Sequence, residues 1–252
     1  MKLDYNAIKS GMSDFPEVEI SVYDTIDSTN IQAKRMLESG NKASLLIVSD
    51  EQTQGRGRQG KSFFSPSGGL YLSVVIHPDG QSDNIVMITT IAAIAVSRAI
   101  EKLTDIKTEI KWVNDVYVNG KKVCGILSQA VTLNGNLSGI IIGIGVNTSD
   151  CDFPEELAQT ADSLNVHIDR NLLASEIAKN IFILTDNLND KSYMNEYREK
   201  SNVIGKNITY YKNNVPHSAR AVGIDDNGGL VVEENNKKIT LTSGEITVRV
   251  KE

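Results

Sequence analysis

EQTQGRGRQGKSFFSPSGG, residues 51–69, is the stretch on which the reading of the fold turns. Residues 55–62 fit the pattern G-x-x-x-x-G-K-[ST], the spacing of a phosphate-binding loop. That loop works only when a strand leads into it and a helix follows, with the helix N-terminus facing the phosphates. Here five polar residues separate the preceding apolar run from Gly55, and Pro66 with Gly68-Gly69 disfavours a helix afterwards. The stretch therefore reads as a long polar loop between two strands. Three glycines let its backbone approach a ligand closely, and Arg56, Arg58 and Lys61 add local positive charge. Arginine suits carboxylate and phosphate oxygens, so an anion-binding loop is expected.

Outward from this loop the apolar pattern marks the elements. Leu45 to Ser49 reads as a buried strand, and Leu70, Leu72, Val74 and Ile76 alternate as another. Val18, Ile20 and Val22 predict a strand near the start. Asp27-Ser28-Thr29-Asn30 then offers helix caps, with Ala33, Met36 and Leu37 at helical spacing. Asn84 to Leu103 is a nearly all-apolar helix, too interrupted and short for a membrane span, so a core helix is expected. Asn119-Gly120 and Asn134-Gly135 predict hairpin turns, Ile140 to Val146 a buried strand, and Leu173 to Leu188 an amphipathic helix. Residues 150–169 hold six acids and no Lys or Arg, which suggests an exposed, partly helical connection. After Asn202 five short alternating segments predict a small β-barrel. The expectation is an α+β fold, with a mixed-sheet domain over 1–202 and a C-terminal barrel over 203–252.

A net charge of −6 argues against general nucleic-acid binding, since phosphate contacts need positive surface. The N-terminus has no apolar run, so a cytoplasmic protein is expected, and with two cysteines (Cys124, Cys151) no disulfide framework. The three histidines lie far apart and show no metal-ligand spacing.

Beyond the loop, three segments carry chemistry. Lys111-Trp112-Val113-Asn114-Asp115 precedes the Asn119-Gly120 turn, after which Lys122 could be aimed into a site by a rigid hairpin. Asn114 and Asp115 offer oxygen ligands for magnesium or hydroxyls. Taken alone, this segment is equally a hairpin with surface lysines. Gly143-Ile-Gly145-Val-Asn147 places glycines inside a buried strand, a sign of close approach or a bulge. Ser28-Thr29-Asn30 reads equally well as a plain helix cap.

Together and in this order, DSTN (27–30), EQTQGRGRQG (51–60), KWVND with KKVCGIL (111–127) and GIGVN (143–147) resemble the catalytic domain of biotin protein ligases. GIDDNGGL (223–230) and SGEITVRV (243–250) look like that family's small C-terminal barrel. The resemblance implies an ATP-dependent ligase. Biotin's carboxylate attacks the α-phosphate of ATP, and a lysine of a biotin carboxyl carrier protein then takes biotin from biotinyl-AMP. By resemblance, Arg58, Lys122 and Asp115 are catalytic. Ser28, Thr29, Asn30, Gln52, Arg56, Gly57, Arg58, Lys122 and Gly125 bind biotin. Arg58, Phe63, Lys111, Asn114, Asp115, Gly145, Asn147 and Arg249 serve ATP. Magnesium arrives with the nucleotide near Asp115, and no tightly bound metal is expected.

The loop is expected to order over the adenylate and exclude water. Two departures stand out. Val113 occupies a position often proline in the family. The residues ahead of Val18 are too few for the DNA-binding domain some members carry, so neither operator binding nor a membrane partner is expected. A homodimer stays open. Lipoate attachment is the related alternative, although those enzymes usually lack the GRGR loop. An RNA-binding module is disfavoured by the acidic charge and by the shortage of loop aromatics beyond Phe63 and Phe64.

Overall fold

Strands with apolar residues on both faces need cover on both, and the seven-stranded sheet here has it. The computed structural model describes residues 2–78, 84–148, 153–212, 215–242 and 247–250. The sheet is built from β1 (Glu19–Ile26), β2 (Leu45–Gln52), β3 (Leu70–Ile76), β4 (Glu109–Lys111), β5 (Asp115–Val118), β6 (Lys121–Leu133) and β7 (Asn136–Val146). Its order is β1-β2-β3-β7-β6-β5-β4, with β1 and β2 parallel and the other neighbours antiparallel. The mixed sheet with segregated helices is α+β, as expected.

Side-chain alternation divides the sheet into two unlike faces. Leu46, Val48, Leu72, Val74, Ile142 and Ile144 join the main core, under the helices α3 (Ile85–Leu103) and α5 (Arg170–Asp186). Leu45, Ile47, Val75 and Ile141 point the other way and pack with Ala33 and Leu37 of α2 (Thr29–Glu38). α3 is buried over thirteen of its nineteen residues, which accounts for its apolar surround. At about 1.5–3 kcal/mol per large apolar side chain, this helix is the largest single contributor to the core. Among the described residues no helix is long and apolar enough to cross a membrane.

Both Asn-Gly turns take the backbone expected of them: Asn119 and Gly120 have φ of 50° and 77°, Asn134 and Gly135 of 52° and 80°. Three short helices have weak sequence signals: α1 (Tyr5–Gly11), α4 (Glu155–Ala158) and α6 (Tyr193–Glu199). The connection around α4 is less exposed than its acidity suggests. Ser163, Leu164 and Ile168 are buried, and the chain clamps the backbone of Lys122: Lys122 N–H donates to Thr160 O at 3.0 Å and Asp162 N–H to Lys122 O at 2.9 Å.

The C-terminal strands β8 (Asn207–Lys212), β9 (Val215–Ile224), β10 (Leu230–Glu234), β11 (Lys237–Leu241) and β12 (Thr247–Val250) form one antiparallel sheet, order β11-β10-β9-β8-β12. Its 225–229 turn docks on the larger unit, where Trp112 Nε1–H donates to Gly228 O at 2.8 Å and Arg198 Nε–H to Ile224 O at 2.8 Å. Cys124 is buried and free, and Cys151 lies outside the described residues.

Candidate active site

One row of residues crosses the sheet. Lys111 pairs with Asp115, Asp115 with Gly125, Gly125 with Gly145, and Gly145 with Tyr71. A second row runs Leu127, Gly143, Ser73 and Ile47. All lie on the face that carries α2, and the glycines leave a hollow there. A side chain at Gly143 would fall on the Asn30 amide, and one at Gly125 would come within 2.8 Å of the Phe63 ring. The resulting cavity of about 240 Å³ is roofed by the 55–63 loop.

That loop is a small hairpin. Gly57 N–H donates to Lys61 O at 2.7 Å, Phe63 N–H to Gly55 O at 2.9 Å, and a 3-10 turn spans Arg58–Gly60. No helix follows it, so the phosphate-loop reading fails for the reason Pro66 and the glycine pair suggested. Its trailing end is anchored by a polar knot: Asp50 accepts from Ser67 and from Arg170, and Arg170 Nη1–H also donates to Gly69 O at 2.7 Å.

At one end of the cavity the groups are neutral. Ser28 stands at the N-cap of α2 yet its hydroxyl makes no capping bond, so the plain-cap reading does not hold. Thr29 N–H donates to Gln52 Oε1 at 2.9 Å, and Gln52 Nε2–H donates to Ser65 Oγ at 3.1 Å. Thr29 and Asn30 are almost fully buried.

The other end is charged. Arg58 Nη1–H donates to Asn114 Oδ1 at 2.7 Å, while Asn114 Nδ2–H donates to Ile126 O at 3.0 Å. Burial lowers the Arg58 pKa from its usual value, and the charge of Asp115 acts in the opposite direction. The Lys122 ammonium lies 2.7 Å from Asp115 Oδ1. That buried oxygen has no hydrogen-bond partner, so the pair is held by charge alone. Burial, and then Asp115, push the Tyr117 hydroxyl up to about 12. Lys111 sits 5.6 Å from the centroid of that ring.

A bulge aims Lys122. Val116 pairs with Cys124 but Tyr117 with Lys122, which leaves Val123 unopposed. Val123 and Cys124 both turn into the core, and Lys122 swings to the cavity face.

The cavity thus gathers Ser28, Thr29, Asn30, Gln52, Arg56, Gly57, Arg58, Phe63, Lys111, Asn114, Asp115, Lys122, Gly125 and Gly145. Asn147 does not line it. Its Nδ2–H donates to Asp162 O at 2.9 Å, pinning the connection beside Lys122. The Arg249 side chain lies outside the described residues. Lining residues to which the sequence assigned no individual role include Lys61, Trp112 and Gly143. The glycine spacing of GIGVN was the available signal for Gly143. Among the described residues no three His, Cys, Asp or Glu side chains are grouped to hold a metal.

The family model of the biotin/lipoate A/B protein ligase family matches residues 22–147, and that of the biotin protein ligase C-terminal domain matches residues 203–249. The chain is 31% identical to the bifunctional ligase/repressor BirA of Bacillus subtilis, covering 94% of this chain and 77% of that protein. It is 26% identical to the biotin--[acetyl-CoA-carboxylase] ligase of Mycobacterium tuberculosis, over 90% of this chain and 88% of that one. Among solved structures it resembles the biotin protein ligase from Aquifex aeolicus in complex with biotin and ATP. The TM-score is 0.79 at 26% identity, over 92% of this chain and 99% of that chain.

Proposed function

This chain belongs to the biotin/lipoate A/B protein ligase family, and we infer that it acts there as a biotin protein ligase. It activates biotin with ATP to biotinyl-5′-AMP, releasing pyrophosphate, and transfers the biotinyl group to a lysine amine of a carboxylase's carrier protein, releasing AMP. The observation that carries this reading is the two-ended cavity: neutral hydrogen-bonding groups at Thr29 and Gln52, cations at Arg58 and Lys122.

We assign the neutral end to biotin's ureido ring, with Ser28, Asn30 and the Arg56–Gly57 backbone around it. Arg58 and Lys122 then hold the carboxylate and the α-phosphate. Their cations offset the negative charge that accumulates as one anion attacks another, in a site that excludes water. Asn114 contributes by holding the Arg58 guanidinium, whose hydrogen bond it accepts. Phe63, Lys111 and Gly145 are assigned to the nucleotide, and Asn147 acts through the connection it pins. The Asp115 carboxylate beside Lys122 suits a magnesium ion that arrives on phosphates and needs few protein ligands. When bound, the ion supplies charge neutralisation at the phosphates.

We place the boundary between catalytic and C-terminal units at residues 202 and 203, and the reaction in the cytoplasm. The net charge of −6 favours a protein acceptor over nucleic acid. The test is pyrophosphate release with ATP, magnesium and biotin, run beside lipoate and beside no acid. Biotin-dependent release, with mass gain on a carrier domain, is expected. Release with lipoate alone moves the chain to the lipoate branch of its family, and release with neither overturns the reading.

A further inference from the structure

Tyr197 is a fully buried phenol on α6, and no role assigned above includes it. Its helix is a firm mount. Tyr193 and Met194 are buried beside it, Arg98 Nε–H donates to Glu196 Oε2 at 2.9 Å, and Arg198 holds Ile224 O. From this mount the Tyr197 hydroxyl donates to Val113 O at 3.1 Å. Burial, and then the charge of Asp115, push the phenol pKa up, so Tyr197 remains a donor at neutral pH.

Val113 is the middle of a short link, Trp112 to Asn114, between β4 and β5. Lys111 and Asp115, at its two ends, pair across the sheet. β6 fixes the far side of the link: Asn114 O accepts from Ile126 N–H at 2.9 Å, and Asn114 Nδ2–H donates to Ile126 O at 3.0 Å. Asn114 Oδ1 is thereby turned toward the cavity, where it accepts from Arg58 Nη1–H at 2.7 Å. Val113 O lies in the same rigid peptide plane as the Asn114 nitrogen. A bond to that oxygen therefore sets how the Asn114 backbone begins. The route from α6 to the guanidinium is short: Tyr197, the Val113 carbonyl, the Asn114 side chain, Arg58. A bond that only satisfied a buried carbonyl would add stability and leave the chemistry alone.

We propose that Tyr197 is a positioning residue for the activation step. By fixing the Val113 carbonyl it holds Asn114, and through Asn114 the Arg58 guanidinium, where the carboxylate and the α-phosphate meet. This rests on the reading that Arg58 holds those two groups. The phenol touches no substrate, and its proton stays on Tyr197 throughout. A cation already in place needs no reorganisation as charge develops, whereas a misplacement on the order of 1 Å can lower the rate by about 10²-fold. In Tyr197→Phe the Val113 peptide loses its donor and can tilt, Asn114 tilts with it, and Arg58 is no longer held to one position.

The test is a double-mutant cycle, read as turnover in biotin-dependent pyrophosphate release at a temperature well below every variant's Tm. In the wild-type background Tyr197→Phe lowers turnover about tenfold, as expected for one well-placed hydrogen bond. In an Arg58→Lys background the same change lowers it by less than about twofold, because the group that Tyr197 positions is gone. A purely structural bond does not produce that non-additivity. If Tyr197→Phe does not fold, Tyr197→Met, which fills the space flexibly and likewise lacks a donor, goes through the same cycle. A fall in Tm with unchanged turnover overturns the proposal by making the bond structural only. Equal losses in both backgrounds overturn it by removing Arg58 from the route. Wild-type protein without biotin-dependent release overturns the functional reading and this proposal with it, whereas either of the other failures leaves that reading standing.

Discussion

At the Thr29 end of the cavity, Thr29, Asn30, Gln52 and Ser73 hold one another through neutral hydrogen bonds, and two backbone groups fix their orientation. At the Lys122 end the groups are ions: Arg58 donates to Asn114, and Lys122 lies 2.7 Å from an Asp115 oxygen. The first arrangement is closed, its groups already paired with one another. The second keeps unspent electrostatic capacity, which a buried site turns into transition-state stabilisation. Changes at the two ends should therefore fail in different kinetic constants.

The widest separation is expected from Lys122→Ala. Turnover in pyrophosphate release falls by about 10²–10³, the range for removing one preorganised charge-stabilising group, while biotin affinity by calorimetry falls less, by about tenfold. Near-normal turnover removes Lys122 from the chemistry. Next, Asp115→Asn is expected to lower turnover by roughly 10²-fold and to raise the magnesium concentration needed. An unchanged magnesium titration assigns Asp115 to holding Lys122 alone. Gly143→Ala strikes the neutral end by displacing the Asn30 amide. A rise of about tenfold in biotin KM with ATP KM unchanged is expected, and a fall in turnover instead would erase the contrast.

Smaller effects test the frame around both ends. Trp112→Phe keeps the ring but loses the bond to Gly228 O. A loss of about 1 kcal/mol, or about 2–4 °C in Tm, should appear in calorimetry. Smallest is a pH effect at the loop anchor. Burial alone would raise the Asp50 carboxyl, but bonds from Ser67 and Arg170 outweigh it and hold the pKa below its ordinary 3.8. A depressed carboxylate contributes stability above that unfolded value and loses it as pH falls through the folded one. Asp50→Asn should lower stability at neutral pH and flatten the acid limb of the stability curve below about pH 4.

Much of this was legible in the chain because it is periodic or punctuated. Alternation marked β3, the Asn-Gly pairs marked two hairpins, and Pro66 excluded the phosphate loop. What stayed hidden depends on long-range register. Ser73 reads as a flaw in an apolar strand until β3 is set beside β7 and the Asn30 amide fills the space over Gly143. Trp112 reads as core until its indole meets the 225–229 turn more than a hundred residues away. The acidic connection reads as exposed because its burial comes from backbone bonds to Lys122 and Asn147, which leave no mark in side-chain pattern. α1 and α6, of seven residues each, are too short to show a period.

The bulge at Val123 has a consequence that is a matter of counting. Lys122 and Gly125 are an odd number of residues apart, and a flat strand puts such residues on opposite sides. The extra residue restores their parity, so lysine and glycine floor share one compartment. Flattening the kink while keeping Val123 would turn the ammonium into oil. Deleting Val123 would keep parity and change only the angle of approach. The hairpin therefore encodes its chemistry partly as arithmetic, which tolerates another apolar residue at 123 far better than a change in number.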